Sequence, residues 1–229
     1  MRLLRHSSSL FAALLAAAVF LGGCSSLSNT EKGAIIGAGA GAAGGAAVGK
    51  ATGDNTAEGA ILGAVVGGAA GALIGQRMDR KANELDRELE NAEVERVGEG
   101  IKITFDSGLL FDFDSSTLRA NAENNLSEFA NSMKDFEDTR ILIVGHTDSK
   151  GSASYNEELS QRRARSASGH LQNRGIDSQR LIIVGKGESE PVTSNETEAG
   201  RQKNRRVEVA VYANEEYREQ AQEQAEQGR

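Results

Sequence analysis

Two ladders of glycine in the N-terminal third of the chain limit what this part can fold into. The first places a glycine at every fourth position from Gly33 to Gly49, and the second repeats the spacing from Gly59 to Gly75, 26 residues later. On a helix this spacing stacks the glycines on one face, where another backbone can approach closely. Because a glycine costs about 1 kcal/mol relative to alanine in a helix in water, ten of them favour a lipid environment.

A polar segment with a Gly-Asp-Asn turn signal, residues 50–58, separates the two ladders. We therefore predict a glycine-zipper helical hairpin over residues 33–75, and this segment resembles the glycine zippers of other outer-membrane lipoproteins. Each arm offers about 16 or 17 apolar or small residues, just short of the roughly 20 that span a bilayer. Spanning, half-insertion and homo-oligomerisation through the zipper helices all remain open, and a flexible Gly/Ala tether is the alternative.

The N-terminus has the layout of a lipoprotein signal peptide over residues 1–23, followed by an acylated N-terminus and short linker over residues 24–32. Two arginines precede an apolar stretch, residues 10–21, that is too short for a convincing membrane span. The stretch ends in the tetrapeptide LGGC, which resembles the lipobox of bacterial lipoproteins. This resemblance implies a triacylated Cys24, and Ser25 after it points to the outer membrane. A plain signal peptide or a signal anchor is the alternative.

The charge balance argues against nucleic acid as a partner. The formal net charge is −7, and the sequence has no basic patch that could displace counterions from phosphates. Residues 76–97 combine charges with apolar residues at spacings of three and four, which predicts an amphipathic connecting helix with a solvated face. Residues 214–229 form a polar tail, rich in Gln and Glu, that is expected to fray.

Residues 98–213 alternate strand and helix patterns and form the predicted folded domain. Two continuous apolar runs, at residues 141–145 and 181–185, are typical of central strands. Alternating strand patterns lie at residues 101–105 and 207–211, and helical patterns at residues 118–136 and 153–172. The predicted fold class is therefore α/β (α+β), in the order β-α-β-α-β-β, with helices on one face of a mixed sheet.

One arginine in this domain is predicted to point inward. Arg163 interrupts an apolar stripe at spacings of four from residue 159 to residue 171, whereas Arg162 and Arg165 lie off that stripe and are expected to be solvated. A buried guanidinium needs an anion, and Asp148, at the carboxyl end of a predicted central strand, offers one. The two side chains would suit a zwitterionic ligand, and an internal salt bridge between them explains the pattern equally well.

Several sequence blocks across the domain resemble the OmpA C-terminal domain family. They are FDFDS at residues 111–115, GHTDSKG at 145–151 with the helix after it, GKGE at 185–188 and NRRV at 204–207. The resemblance implies non-covalent binding of peptidoglycan through the diaminopimelate of its stem peptide. It also implies a set of binding residues, in which Asp148 receives the ammonium and Arg163 the carboxylate of diaminopimelate, while Asn156 supplies amide hydrogen bonds and Thr147, Asp114 and Arg205 complete the wall of the site.

We therefore expect an outer-membrane lipoprotein, held in the lipid by acylated Cys24, whose periplasmic domain tethers the membrane to the cell wall. The alternative is a membrane-active or pore-forming glycine-zipper oligomer that wall binding only positions. We expect no enzyme, because His146 and Asp148 near Ser160 do not form a nucleophile elbow or any base and nucleophile constellation. The sequence likewise predicts no cofactor and no metal site.

Overall fold

The computed structural model describes residues 55–112 and 114–228. The predicted signal peptide, the acylation site Cys24 and the first glycine ladder lie outside these residues. In chain order the elements are α1 Thr56–Gly63, α2 Gly68–Glu88, β1 Ala92–Val97, β2 Gly100–Asp106, α3 Ser107–Leu110, α4 Ala120–Lys134, β3 Thr139–Gly145, α5 Ala153–Asn173, a 3-10 turn Ser178–Arg180, β4 Leu181–Gly185, α6 Glu198–Asn204, β5 Arg206–Ala213 and α7 Glu215–Gln227. Across this described part, no helix is both long and apolar enough to cross a bilayer.

The strands form one five-stranded mixed sheet, in the order β1-β2-β5-β3-β4. All neighbours are antiparallel except β3 and β4, which are parallel and joined by the crossover helix α5. The predicted mixed α/β class is confirmed. The predicted strand order lacked β1, because residues 92–97 were assigned to the connecting helix. Asn91, with a φ of 55°, turns the chain instead, and β1 pairs with β2.

The N-terminal and C-terminal flanks of the predicted domain are parts of its core. The predicted amphipathic connecting helix is correct as far as Glu88, where α2 ends, and its apolar residues Met78 and Leu85 are completely buried. The prediction is wrong for residues 92–97, which form β1. The prediction of a fraying tail is also wrong. Helix α7 starts at an Asn214 cap and packs against α2, burying Ala221. The folded unit therefore extends beyond residues 98–213 in both directions.

Helices cover both faces of the sheet, not one as predicted. On one face α2, α4 and α5 pack their apolar sides on the strands. On the other face α1 places Ala57 and Ile61, both 0% exposed, against Leu142, Val144 and Ala210. This second layer follows from the strands themselves, because β3 and β5 carry apolar residues on both sides and need a cover on each.

Polar contacts fasten the start of α1 to the sheet. Asn55 Nδ2 donates to both carboxylate oxygens of Glu208 at 3.0 Å, and the Thr56 N–H donates to Glu190 at 3.0 Å. Burial raises the pKa of Glu208, but the neighbouring His146 and the charge of Arg206 outweigh it and hold that pKa at about 2. Glu208 is therefore an anion at neutral pH, and Asn55 and Arg206 satisfy it.

The second glycine ladder is not one arm of a continuous hairpin, and this part of the predicted hairpin is wrong. Gly67 and Gly68, with φ of 77° and 62°, separate α1 from α2. The buried Glu99 carboxylate accepts hydrogen bonds from the Val66 and Gly67 N–H groups at 2.9 and 2.8 Å. A Cβ atom at Gly71 would overlap this carboxylate. Gly71 therefore leaves the space that the buried Glu99 carboxylate occupies at the start of α2.

Two adjacent residues of α1 test whether the second ladder belongs to the folded unit. Replacing the fully buried Ile61 with alanine is expected to lower the free energy of unfolding by about 2–5 kcal/mol, because it opens a cavity against the sheet. Leu62→Ala, at a half-buried position of the same helix, is the matched control and is expected to cost less than about 1 kcal/mol. Urea unfolding of the full chain, followed by circular dichroism, measures both. Equal effects would contradict the docking of α1.

Candidate functional site

The carboxyl end of β3 and the first turns of α5 build a polar cleft. After β3, the buried Thr147 N–H donates to Gly187 O at 2.8 Å and so ties the segment to the loop that follows β4. The Asp148 carboxylate accepts from the Lys150 N–H at 2.9 Å, which fixes its direction. Ser152 caps α5 by accepting from the Tyr155 N–H. The loop therefore holds Asp148 beside the start of α5.

Arg163 is the buried cation of this cleft. Its side chain follows the inward stripe of α5 and the residue is 5% exposed, whereas Arg162 and Arg165 are exposed, as predicted. The guanidinium Nε donates to Ser115 O at 2.9 Å, and its carbon lies 5.3 Å from the centre of the Phe111 ring. Burial lowers the pKa of Arg163. Among the described residues, no carboxylate lies within ion-pair distance of it.

Asp148 pairs with a different arginine. Its carboxylate is 2.6 Å from Arg205 Nη1, and the other Nη of Arg205 donates to Glu198 at 2.9 Å. Hydrogen bonds from Arg201 and Arg205 lower the pKa of Glu198 to about 2. The internal salt bridge between Asp148 and Arg163, which the sequence left open, is therefore not formed. Asp148 already has a counter-charge in direct contact, whereas among the described residues Asp114 and Asp148 act on Arg163 only from beyond ion-pair distance.

Asn156 lies about two turns before Arg163 on α5 and is 2% exposed. Its side-chain amide donates to the Asp148 carbonyl oxygen at 3.2 Å and to the Glu188 carboxylate at 2.5 Å. Asn156 therefore joins the loop after β3 to the loop after β4 inside the cleft. Its neighbour Tyr155 is more exposed and donates its hydroxyl to Asp114, a hydrogen bond that raises the pKa of Tyr155.

The structure brings all six predicted binding residues to one cleft of about 790 Å³. The hydroxyl oxygen of Thr147 in its wall is buried and has no hydrogen-bond partner among the described residues. A buried hydroxyl without a partner is unusual in a folded protein. The residues that line the cleft and were predicted from sequence are Thr147, Asp148, Asn156, Arg163, Arg205 and Asp114.

Asp112 and Arg206 of the motif blocks, and Arg201 just before the last block, have other roles. Asp112 pairs with Arg119 at the surface, and Arg206 pairs with the buried Glu208 under α1. Arg201 braces the last loop by donating to Asn195 O at 2.8 Å. Sequence reasoning missed Glu198, which holds Arg205 from the first turn of a short helix. No periodic pattern marks that position, so no sequence signal could have found it.

The fold and the cleft define a class of protein: a mixed α/β domain with acidic and basic side chains in a cleft at the carboxyl end of a central strand. The OmpA family profile matches residues 110–205, and the YMGG-like Gly-zipper profile matches residues 5–79. The outer-membrane lipoprotein YfiB of Pseudomonas aeruginosa is 34% identical over 115 residues, which cover 50% of this chain and 68% of YfiB. The chain belongs to the OmpA family.

Other relatives share the domain but are covered less fully. Outer membrane protein A of Bordetella avium is 41% identical over 110 residues, 48% of this chain and 57% of that protein. The probable lipoprotein YiaD of Escherichia coli is 36% identical over 118 residues, 52% of this chain and 54% of that protein. The chain thus spans little more than half the length of these two relatives.

Solved structures show the same fold. The cell wall anchor of the T6SS from Pseudomonas aeruginosa aligns with a TM-score of 0.53 at 27% identity, covering 60% of this chain and 98% of that chain. A MotB-like protein from Desulfovibrio vulgaris aligns with a TM-score of 0.56 at 22% identity, covering 62% of this chain and 94% of that chain. At this identity the second likeness concerns the fold alone.

Proposed function

We propose that this chain is an outer-membrane lipoprotein that binds peptidoglycan non-covalently and tethers the outer membrane to the cell wall. The ligand is the diaminopimelate of the stem peptide, and the anchor is acylated Cys24. The observation that carries the proposal is the buried Arg163, which has no carboxylate partner among the described residues. Burying a guanidinium without a counter-ion is costly, and a ligand carboxylate would supply the missing charge.

The two charged groups of the proposed ligand match the acidic and the basic side chain of the cleft. The side chain of diaminopimelate in a stem peptide carries an ammonium group and a carboxylate on one carbon. Arg163 binds the carboxylate, and Asp148 receives the ammonium, because each oxygen of its carboxylate keeps a free lone pair beside its present partner. The outer-membrane relatives and the likeness to a solved cell wall anchor support this reading.

The membrane-active alternative has less support. The second glycine ladder, which it needs as one arm of an inserted hairpin, is divided between α1 and α2 and packed on the sheet. Insertion of this ladder into lipid would remove Ile61 and Ile74, both completely buried, from the core. We therefore place the function of the chain in the cleft.

Sedimentation with purified sacculi tests the proposed function. The full chain in mild detergent is expected to sediment with diaminopimelate-containing sacculi and to be released by free meso-diaminopimelate. Asp148→Ala is expected to weaken binding at least about tenfold, because the ammonium loses its charged acceptor. Asp86→Ala, at an exposed position of α2, is the control and should bind normally. Unchanged sedimentation of Asp148→Ala would contradict the proposal.

High salt is expected to weaken binding to sacculi, because salt screens the charge pairs between the ligand and the cleft.

A further inference from the structure

The hydrogen bonds of Asn156 fix which end of its amide faces the cleft. The amide nitrogen has two hydrogens, and both of its neighbours, the Asp148 carbonyl oxygen and the Glu188 carboxylate, can only accept. The nitrogen must therefore point at these two oxygens. Among the described residues, no donor reaches the remaining group, the Asn156 carbonyl oxygen.

The loop beside Asn156 leaves that oxygen uncovered. Gly151 adopts a φ of 108°, and a Cβ atom at this position would contact Asn156 Oδ1 at 3.4 Å. Because residue 151 has no side chain, nothing from this position covers the oxygen on its cleft side. Gly151 and Asn156 both line the cleft, as do Thr147 and Asp148. A ligand that reaches Asn156 thus meets an acceptor.

We infer that Glu188 is a positioning residue of the binding site. It orients the Asn156 amide so that its carbonyl oxygen accepts a hydrogen bond from the ligand ammonium. This inference rests on the proposed function and deepens it, since the family resemblance implied only amide hydrogen bonds from Asn156. An ammonium has three hydrogens. The cleft offers two acceptors for them, namely the Asp148 carboxylate and the Asn156 carbonyl oxygen.

The role of Glu188 requires it to act as a hydrogen-bond acceptor for Asn156 and not through its charge on the ligand directly. Glu188 does not line the cleft, whereas Asn156 does. Without the Glu188 acceptor, the amide can rotate and present its N–H groups to the ligand ammonium, which they repel. Glutamine at position 188 would still offer a carbonyl oxygen to the Asn156 amide. Loss of the Glu188 acceptor should therefore weaken the binding only of ligands that carry an ammonium group.

Competition with two small molecules tests this inference on the full chain bound to sacculi. Meso-diaminopimelate carries ammonium groups, and pimelic acid has the same carbon chain and carboxylates without them. We expect Glu188→Ala to raise the concentration of diaminopimelate needed for half-release about five- to tenfold, and to leave that of pimelic acid unchanged. Glu188→Gln is expected to stay within about twofold of the natural chain.

A double-mutant cycle separates positioning from general damage. Asn156→Ala should reproduce the loss seen with Glu188→Ala, and the double variant should lose no more than either single change, because both remove the same acceptor. Equal losses for both competitors, or fully additive losses in the double variant, would overturn the inference. Normal binding of Glu188→Ala would overturn it while leaving the proposed function intact. Failure of the natural chain to bind sacculi would overturn both.

Discussion

Arg163→Met is expected to weaken binding to sacculi about 30-fold or more, while the free energy of unfolding stays within about 1 kcal/mol or increases. The guanidinium is buried, its pKa is lowered by that burial, and no carboxylate of the described residues lies within ion-pair distance of it. Methionine keeps much of the side-chain volume over the Phe111 ring and removes the buried charge. The free protein loses the hydrogen bond to Ser115 and the cation–π contact with Phe111.

Arg165→Met is the matched control, because this arginine lies two residues further along the same helix and is exposed. It should change neither binding nor stability. Sedimentation with sacculi and urea unfolding followed by circular dichroism provide the two readouts. Residues that serve binding commonly lower the stability of a fold. Weaker binding together with unchanged or higher stability would therefore mark Arg163 as a binding residue. If Arg163→Met unfolded the chain, the arginine would be a structural residue and the proposed function would lose its main support.

Gly145→Ala is expected to destabilise the fold by about 3 kcal/mol or more, and binding to sacculi should fall with it. Strand β3 ends at Gly145, where helix α5 crosses so closely that a Cβ atom would overlap the carbonyl oxygen of Ser160. That atom belongs to the backbone of α5, so the clash cannot be relieved by a side-chain rotation. The strand and the helix would have to separate, and these two elements carry Asp148 and Arg163.

Gly169→Ala is the control for that change. It lies in the interior of α5, and a Cβ atom there would meet nothing within 4 Å. Alanine is the better helix former, so this variant should be more stable by about 0.5–1 kcal/mol. Urea unfolding measures both variants, and circular dichroism is the suitable signal because the chain has no tryptophan. A mild effect of Gly145→Ala would mean that β3 and α5 pack less tightly than the structure has them.

Much of the domain could be predicted because its patterns are long and regular. The apolar runs at residues 141–145 and 181–185 became the parallel pair β3 and β4, and the inward stripe of α5 placed Arg163 correctly. Strand β1 was missed because its short, charged sequence also fits a helical spacing. Only pairing with β2 decides between the two, and that contact is not local.

The glycine ladders show where a periodic signal misleads. In the second ladder the spacing of four correctly indicated helices, but it could not reveal the environment in which they lie. Gly67 uses its positive φ to break the ladder, and Gly71 admits the side chain of Glu99. Both roles depend on a residue more than 20 positions away in the chain, so the same glycines were read as a lipid-facing groove.

The candidate residues of the cleft came from the resemblance to the OmpA family, whereas their hydrogen-bond and ion-pair partners are known only from the structure. All six predicted residues line one cleft, although their ligand contacts stay predictions. The pairing of Asp148 with Arg205, and not with Arg163, could not be derived from spacing, because β5 approaches β3 only in the folded sheet. The orientation of Asn156 depends in the same way on Glu188, from the loop after β4.

The hydrogen bonds at the start of α1 limit the length of chain between Cys24 and the folded unit. Asn55 and Thr56 are bound to Glu208 and Glu190, so the folded unit already includes these two residues. From Cys24 to Asn55 the backbone takes 31 steps, which at about 3.5 Å each gives a reach of at most roughly 110 Å. In a chain held at Cys24, a separation beyond that reach would require α1 to detach from the sheet.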